Sequence, residues 1–285
     1  MYALPPGRSL WTSGIPGIDN EATMNCWYAT IKSIDDWAWI ANVMMLGGGA
    51  GVGLEQVHTM PTIAPGNATF QVICDCSHPN ISEIETTTFS LDTCGNKDIL
   101  DVPDSRQGWV TALRHVLQKA YNAEDAYIDV SSIRPRGNAL KTFGGTACGP
   151  RPLIAMLRNI WSIVRNAAGR KLTTIDALDI TTHIGKCIVM GNIRRTAIMC
   201  MADANDDAMW HAKQDTDAIA SHRYTSNNSI NIHSKKQIDS IDWTKLVECN
   251  VNYGDPGINN LWLSKQSEPL IEGVNPCGEI PLRDK

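Results

Sequence analysis

Apolar side chains along the chain recur in two periods. From Trp37 through Ile40, Ala41, Met44 and Met45 they fall three or four positions apart, the spacing of a helix with one buried face. Ser33 and Asp36 form a capping box ahead of it, and Gly47 is a natural stop. A second helical face, Trp109, Leu113, Val116, Leu117 and Ala120, follows Asp104 or Ser105 as its cap. A third (Leu153, Met156, Leu157, Ile160, Trp161, Val164) is expected from Pro152 to Ala168. A fourth (Leu178, Thr181, Ile184, Cys187, Ile188) is expected from a Thr174 cap to Met190. A short apolar run, Met24–Tyr28, leads to Ser33, and strand signals stand at Ala126–Val130 and in the nearly continuous apolar run Thr196–Ala202, which reads as a strand buried on both faces. Residues 1–20 look irregular, and residues 54–100 read as short strands and loops. Further on, 205–220 look helical, 241–252 form another helix, and 257–263 form a strand. Helix and strand alternate, so the pattern predicts an α/β architecture with mainly parallel pairing.

Three stretches have no such period. Gly47–Gly53 contains glycines spaced like a dinucleotide fingerprint. That fingerprint needs a strand before it and a helix after it, and the expected order here is the reverse. Close backbone approach, to substrate or to a neighbouring strand, is the better use of these glycines. Arg134-Pro135-Arg136-Gly137 and the following Lys141–Pro150 bring two Arg, a Lys and several glycines into one loop, a set able to surround phosphate. Near the C-terminus stands Asn275-Pro276-Cys277-Gly278-Glu279, where Pro and Gly on either side of a cysteine exclude helix. In an extended run, Asn275, Cys277 and Glu279 would share a face, placing an amide, a thiol and a carboxylate together.

Composition narrows the field. The chain has 285 residues, 43% hydrophobic and 19% charged, enough for a substantial core. A formal net charge of −5 without a block of Lys or Arg argues against a polynucleotide-binding surface but leaves mononucleotides open. Nine cysteines at irregular spacing argue against a disulfide-stapled secreted fold. Cys74-Asp75-Cys76, with His78 and Cys94, lacks the paired knuckles of a zinc site, so no metal is expected. The first residues lack the form of a signal peptide. Trp37–Leu54, interrupted by Asn42 and five glycines, reads as a buried helix and loop rather than a membrane span. A cytoplasmic protein is expected, with no membrane partner.

Several pieces in order resemble one family. They are Asn25-Cys26, Gly47–Gly53, Asp104–Trp109, Arg134–Gly137, Gly144–Pro150, Gly191–Ala197, Ser226–Ser229, Gly254–Gly257 and Asn275–Ile280. Together they are similar to the adenosylcobalamin-dependent ribonucleotide reductases, most like the monomeric ribonucleoside-triphosphate reductases. The resemblance implies a ten-stranded α/β barrel, of which this chain would supply the first half and the start of the finger loop. It implies Cys277 as the transient thiyl radical, Glu279 as the base for the 3′-hydroxyl, Asn275 as a ribose ligand, and Cys26 as one of the two reducing thiols. Asn25, Gly48 and Gly49 would contact substrate.

The family also implies adenosylcobalamin as cofactor, a ribonucleoside triphosphate substrate, and thioredoxin or a similar reductant. A deoxynucleoside triphosphate effector would bind within about residues 54–182, with Arg134, Arg136 and Lys141 as candidate ligands. The family pattern places the second reducing cysteine soon after N-P-C-G-E, and the second half-barrel after that. Neither stands before Lys285, so a fragment or a split half with a C-terminal partner chain is expected. Two alternatives are a nucleotide-binding or complementation module without its own activity, and the large subunit of the class that uses a separate radical-generating subunit. Pro276 before the cysteine leans away from the latter.

Overall fold

A computed structural model describes residues 7–15, 20–84, 98–140, 145–191, 197–214 and 218–285. In chain order, α1 (Gly7–Thr12) precedes β1 (Cys26–Thr30), α2 (Ile34–Met45) and β2 (Gly49–Gly53). Then come β3 (Phe70–Ile73), β4 (Ile99–Asp101), α3 (Arg106–Asn122), β5 (Ala126–Asp129), α4 (Arg151–Asn166) and α5 (Thr174–Met190). The last third holds β6 (Ile198–Asp203), α6 (Asp207–Trp210), β7 (Asn227–Asn231), α7 (Lys235–Ser240), α8 (Trp243–Tyr253), β8 (Gly257–Asn259), α9 (Leu261–Ser267), β9 (Gly273–Val274) and β10 (Pro281–Leu282).

Helix starts follow local chemistry. The Asp36 carboxylate accepts the Ser33 backbone N–H at 2.7 Å, as the expected capping box at the start of α2 requires. Ser105, not Asp104, caps α3, its hydroxyl accepting from Gly108 N at 3.0 Å. Asp104 is instead engaged by Arg134. The cap of α5 is Thr173 rather than Thr174: its hydroxyl accepts from Asp176 N at 3.1 Å, and Asp176 returns the bond to Thr173 N at 2.8 Å.

Strands β1, β2, β6, β7 and β8 form one sheet in the order 1-2-6-7-8, every pair parallel. A smaller parallel sheet, ordered 3-5-4, holds β3, β4 and β5. Helices α2 and α5 pack on the large sheet, α3 and α4 on the small one, and the four helices pack on one another between the sheets. A single buried cluster runs from Ala29 through Trp37, Leu117, Leu157 and Ile184 to Cys200, tying both sheets to this helical layer. Trp37 is fully buried there, and its ring N–H donates to Thr181 Oγ1 of α5 at 3.1 Å.

Alternation along the strands divides the large sheet's two faces. Ala29, Ala50, Val52, Ile198, Cys200 and Ala202 join the helical core. Tyr28, Met199 and Met201 belong to a separate small cluster with Val274 and Leu282, on the face over which the β9–β10 hairpin lies. The five parallel strands and this hairpin are the parts expected of a half-barrel with its finger loop.

Some elements differ from the pattern. Strand β7, Asn-Asn-Ser-Ile-Asn, has no apolar period, yet Asn228 and Asn231 are buried, Asn228 Oδ1 accepting from Ser226 Oγ at 2.9 Å and Asn231 Nδ2 donating to Glu55 at 2.7 Å in place of hydrophobic packing. The expected strand 257–263 stops at Asn259, because Asn260 Oδ1 accepts from Leu263 N and starts α9. Helix α7 precedes α8, starting at a Ser234 cap, and α1 lies within residues expected to be irregular. Among the described residues of 205–220, the regular α-helix is the four residues of α6, and a 3-10 segment runs from Ala218 to Thr225. Among the described residues, no helix is long and apolar enough to cross a membrane.

Candidate functional site

The Asn275–Glu279 segment forms the tip of the β9–β10 hairpin, in which Val274 pairs with Pro281 and Gly273 with Leu282. Gly278 N donates to Asn275 O at 3.0 Å, closing a four-residue turn. Among described non-glycine residues only Ala123 has positive φ, so Cys277 does not, which excludes a type II turn. Asn, Pro and Gly at the first, second and fourth positions are the preferences of type I. Gly278, at φ +85°, turns the chain back toward β10.

The extended run that would align Asn275, Cys277 and Glu279 therefore does not form, because Pro276 and Gly278 bend the chain on both sides of the cysteine. Asn275 is fully buried; its Oδ1 accepts from Ile280 N at 2.9 Å and its N–H reaches Ile280 O at 3.0 Å, so the residue braces the loop from inside. Its Nδ2 is buried without a hydrogen-bond partner among the described residues. Cys277 and Glu279 are exposed on the tip.

Glycines of β2 make the seat for this hairpin. A Cβ on Gly51 would stand 1.8 Å from Val274 O, and one on Gly49 would stand 2.7 Å from Pro276 Cγ. Gly48 makes room on another side, since its Cβ would stand 2.9 Å from the Trp27 ring and 3.0 Å from Val43 O. These glycines serve close approach of the protein's own chain, one of the two uses expected of them.

Cys26 opens β1 opposite Gly49, and Asn25, exposed just before it, accepts Gly49 N at 2.7 Å through its backbone carbonyl. Partial burial, then the Glu279 carboxylate, then Cys26 raise the pKa of the Cys277 thiol. The fold thus brings Cys26, from the opposite end of the sequence, and Glu279 within electrostatic reach of Cys277.

The loop after β5 is built differently from the expectation of free cations. Arg134 is committed internally: Nε donates to Asp104 at 2.6 Å and Nη1 to Ala139 O at 3.1 Å. Arg136 donates its backbone N–H to Asn80 Oδ1 at 2.8 Å, and its largely exposed guanidinium stands 3.9 Å from Glu83. Lys141 lies outside the described residues, as does Cys94. Beside this loop a cavity of about 280 Å³ is lined by Glu83, Ile84, Arg151, Ile154, Arg158 and Asn159. Arg151 and Arg158 were passed over because α4 was read for its apolar side. Their seven-residue spacing, two helical turns, was the available signal. No group of three His, Cys, Asp or Glu among the described residues is arranged to hold a metal.

Comparison with known proteins bears on the chain at three scales. A family model described as the insertion domain of B12-dependent ribonucleotide reductase matches residues 80–164. The adenosylcobalamin-dependent ribonucleoside-triphosphate reductase of Levilactobacillus brevis is 33% identical, over 99% of this chain and 43% of its own length. The enzyme of that name from Lactobacillus gasseri is 30% identical, over 99% of the chain and 44% of its own length. A crystal structure of a B12-dependent, class II ribonucleotide reductase superposes with a TM-score of 0.85 at 28% identity, covering 98% of this chain and 44% of that one. These matches favour the cobalamin-dependent class over the one with a separate radical-generating subunit, and the chain spans less than half the length of the relatives it matches. By sequence and by fold, the chain belongs to the class II ribonucleotide reductases.

Proposed function

We propose that this chain supplies the radical-cysteine loop, one reducing thiol and the effector region of an adenosylcobalamin-dependent reductase. The enzyme would convert ribonucleoside triphosphates to 2′-deoxyribonucleoside triphosphates for DNA synthesis. The observation that carries this is the state of Cys277: exposed at the apex of a braced turn, with its pKa raised, so that at neutral pH it is a thiol and not a thiolate. A thiol with its hydrogen in place is what a radical reaction requires. This fits adenosylcobalamin, which when bound supplies the radical that takes that hydrogen.

The chain's own residues then have distinct tasks. Cys277, as a thiyl, takes the hydrogen at the ribose 3′ carbon, and exposed Glu279 takes the 3′-hydroxyl proton. The unpartnered Nδ2 of Asn275 supports its assignment as a donor to the ribose, since a buried amide without an acceptor is costly. Asn25, exposed just before β1, would contact substrate, whereas Gly48 and Gly49 are buried against Trp27 and Pro276 and would act by letting the loop sit close. Cys26 is one thiol of the pair oxidised to a disulfide as the 2′-hydroxyl leaves as water, and thioredoxin or a similar reductant restores it.

A C-terminal half chain would complete the barrel around residues 1–285. The effector, a deoxynucleoside triphosphate, would bind within about 54–182, where the insertion-domain match and the Arg151/Arg158 cavity lie. Arg136 and Lys141 remain candidates there. A reducing cytoplasm suits the eight described cysteines, all of them free.

In a reconstituted full-length enzyme, Cys277→Ser should abolish turnover, and retained activity would overturn the assignment. Cys26→Ser should block multiple turnover only. The cavity also favours a second reading, a nucleotide-binding module without catalysis. Calorimetric titration with deoxynucleoside triphosphates, paired with assays after adding a C-terminal half chain, separates the two. Binding without turnover in every combination favours the module.

A further inference from the structure

Strand β1 carries Cys26, Tyr28 and Thr30 on one face, the face that meets the hairpin. Tyr28 is almost wholly buried, and its hydroxyl touches two groups: Glu272 O at 2.9 Å and Thr30 Oγ1 at 3.0 Å. A carbonyl only accepts, so the phenol's one proton goes to Glu272 and the Thr30 hydroxyl donates to the phenol oxygen. Burial pushes the Tyr28 pKa up, so the donor persists at any working pH. The ring lies against Gly273, where a Cβ would stand 2.1 Å from it, and packs with Val274. The side chain therefore grips the three residues that immediately precede Asn275-Pro276-Cys277.

The far end of the hairpin is held by the same part of the chain. Asp284 accepts the Thr30 backbone N–H at 2.8 Å and Lys32 Nζ at 2.6 Å, and Lys285 pairs with Asp36 at 2.6 Å. Among the described residues, strand β1 is an edge of its sheet, pairing only with β2, which leaves that N–H for Asp284. Both stems of the loop that bears Cys277 are thus pinned to the strand that bears Cys26, or to the turn just after it. Cys26 and Tyr28 are two residues apart, roughly 7 Å along a strand, so a shift at the pin passes along the stem to the spacing of the two thiols.

We propose that Tyr28 is a positioning residue that sets the height of Cys277 over Cys26 through its bond to Glu272, with Asp284 as the second pin. The proposal rests on the reading of Cys277 as the reactive cysteine, but its test does not need turnover. In the 285-residue chain, the rate at which a short bismaleimide joins Cys26 to Cys277 is followed by peptide mass mapping. Simple alkylation of exposed Cys76 and the melting temperature serve as checks on the fold.

Tyr28→Phe keeps the ring and removes the hydroxyl. Cross-linking should fall about fivefold, the factor that one hydrogen bond of ordinary net strength controls, with Cys76 alkylation unchanged. Cross-linking at the wild-type rate would overturn the proposal. Should Tyr28→Phe fail to fold, Asp284→Asn, which leaves the core untouched, is read the same way: a slower cross-link supports the two-pin arrangement and an unchanged one refutes it. Loss of cross-linking in Tyr28→Phe together with full activity of Cys277→Ser in the complete enzyme would sink the radical reading and leave the positioning result standing.

Discussion

Gly51→Ala isolates the contact between sheet and hairpin. Gly51 lies in a central strand and does not have positive φ, so the backbone accepts alanine without strain. Intrinsic propensity even favours alanine by about 0.5–1 kcal/mol. The added methyl, however, would stand 1.8 Å from Val274 O, and ordinary contact begins near 3.4 Å. The obstruction is backbone on both sides, so no rotamer relieves it, and the hairpin stem must lift by about 1.6 Å.

Overpacking of this kind costs about 1–3 kcal/mol, leaving a net destabilisation of roughly 0–2.5 kcal/mol after the propensity gain. The functional effect is expected to be larger. A displacement of about 1 Å at reacting groups can lower rate about a hundredfold, and here the displaced segment leads directly into Cys277. Urea unfolding of the chain measures the first effect, and turnover of the reconstituted full-length enzyme measures the second. Gly169→Ala is the control: Gly169 has φ +81° but no atom within 4 Å of the new Cβ, so it should lose comparable stability with normal turnover. Normal turnover in Gly51→Ala would refute the role given to the glycine seat, as would an equal loss of activity in the control.

Two further outcomes test the fold. Ser105→Ala removes the α3 cap and should cost about 1 kcal/mol, read as a lower urea midpoint; Asp104→Ala should act instead through the lost Arg134 pair. His183, half-buried and stacked on His222 at 4.1 Å, has its pKa lowered from 6.5 to about 4 by desolvation, then by His222, with Lys186 adding to the shift and Asp179 opposing it. A histidine whose folded pKa is depressed stabilises the fold above its unfolded value and loses that contribution as pH falls through the folded value. Melting temperature should therefore decline between about pH 6.5 and 4, and His183→Leu should flatten that decline. An unchanged slope in the variant would count against it.

The sequence made the helices and part of the helical face of the sheet readable, because there burial and periodicity coincide: the Trp37 and Leu153 faces, and Ile198, Cys200 and Ala202 in the run ending at Ala202, are apolar and in the core. The hairpin face was hard to read for the converse reason. Its inward positions are Gly49, Gly51, Tyr28 and Met199, chosen for how closely a second piece of chain approaches, and no period in hydrophobicity records that. Strand β7 was missed likewise, since its buried amides bond to polar neighbours rather than pack apolar surface: Asn228 Oδ1 accepts from Ser226, and Asn231 bonds to Glu55 and Asn259.

The candidate site shows the same division. Residue types alone marked Cys277 and Glu279, but the notion that they share a face with Asn275 failed on local geometry. A type I turn sends alternate residues to different environments, and Asn275 goes inward as the brace while the thiol goes out. That difference strengthens the chemical assignment. An extended strand could slide in register against its seat, whereas a turn closed by Gly278 N, braced by the Asn275 side chain and pinned through Glu272 and Asp284 holds one cysteine at one height. A loop that needed only to be a turn would not require Gly49 and Gly51 beneath it, Gly273 against a tyrosine ring and a buried amide left unpartnered. The cost of those features is explained if the height of Cys277 is what the fold is built to control.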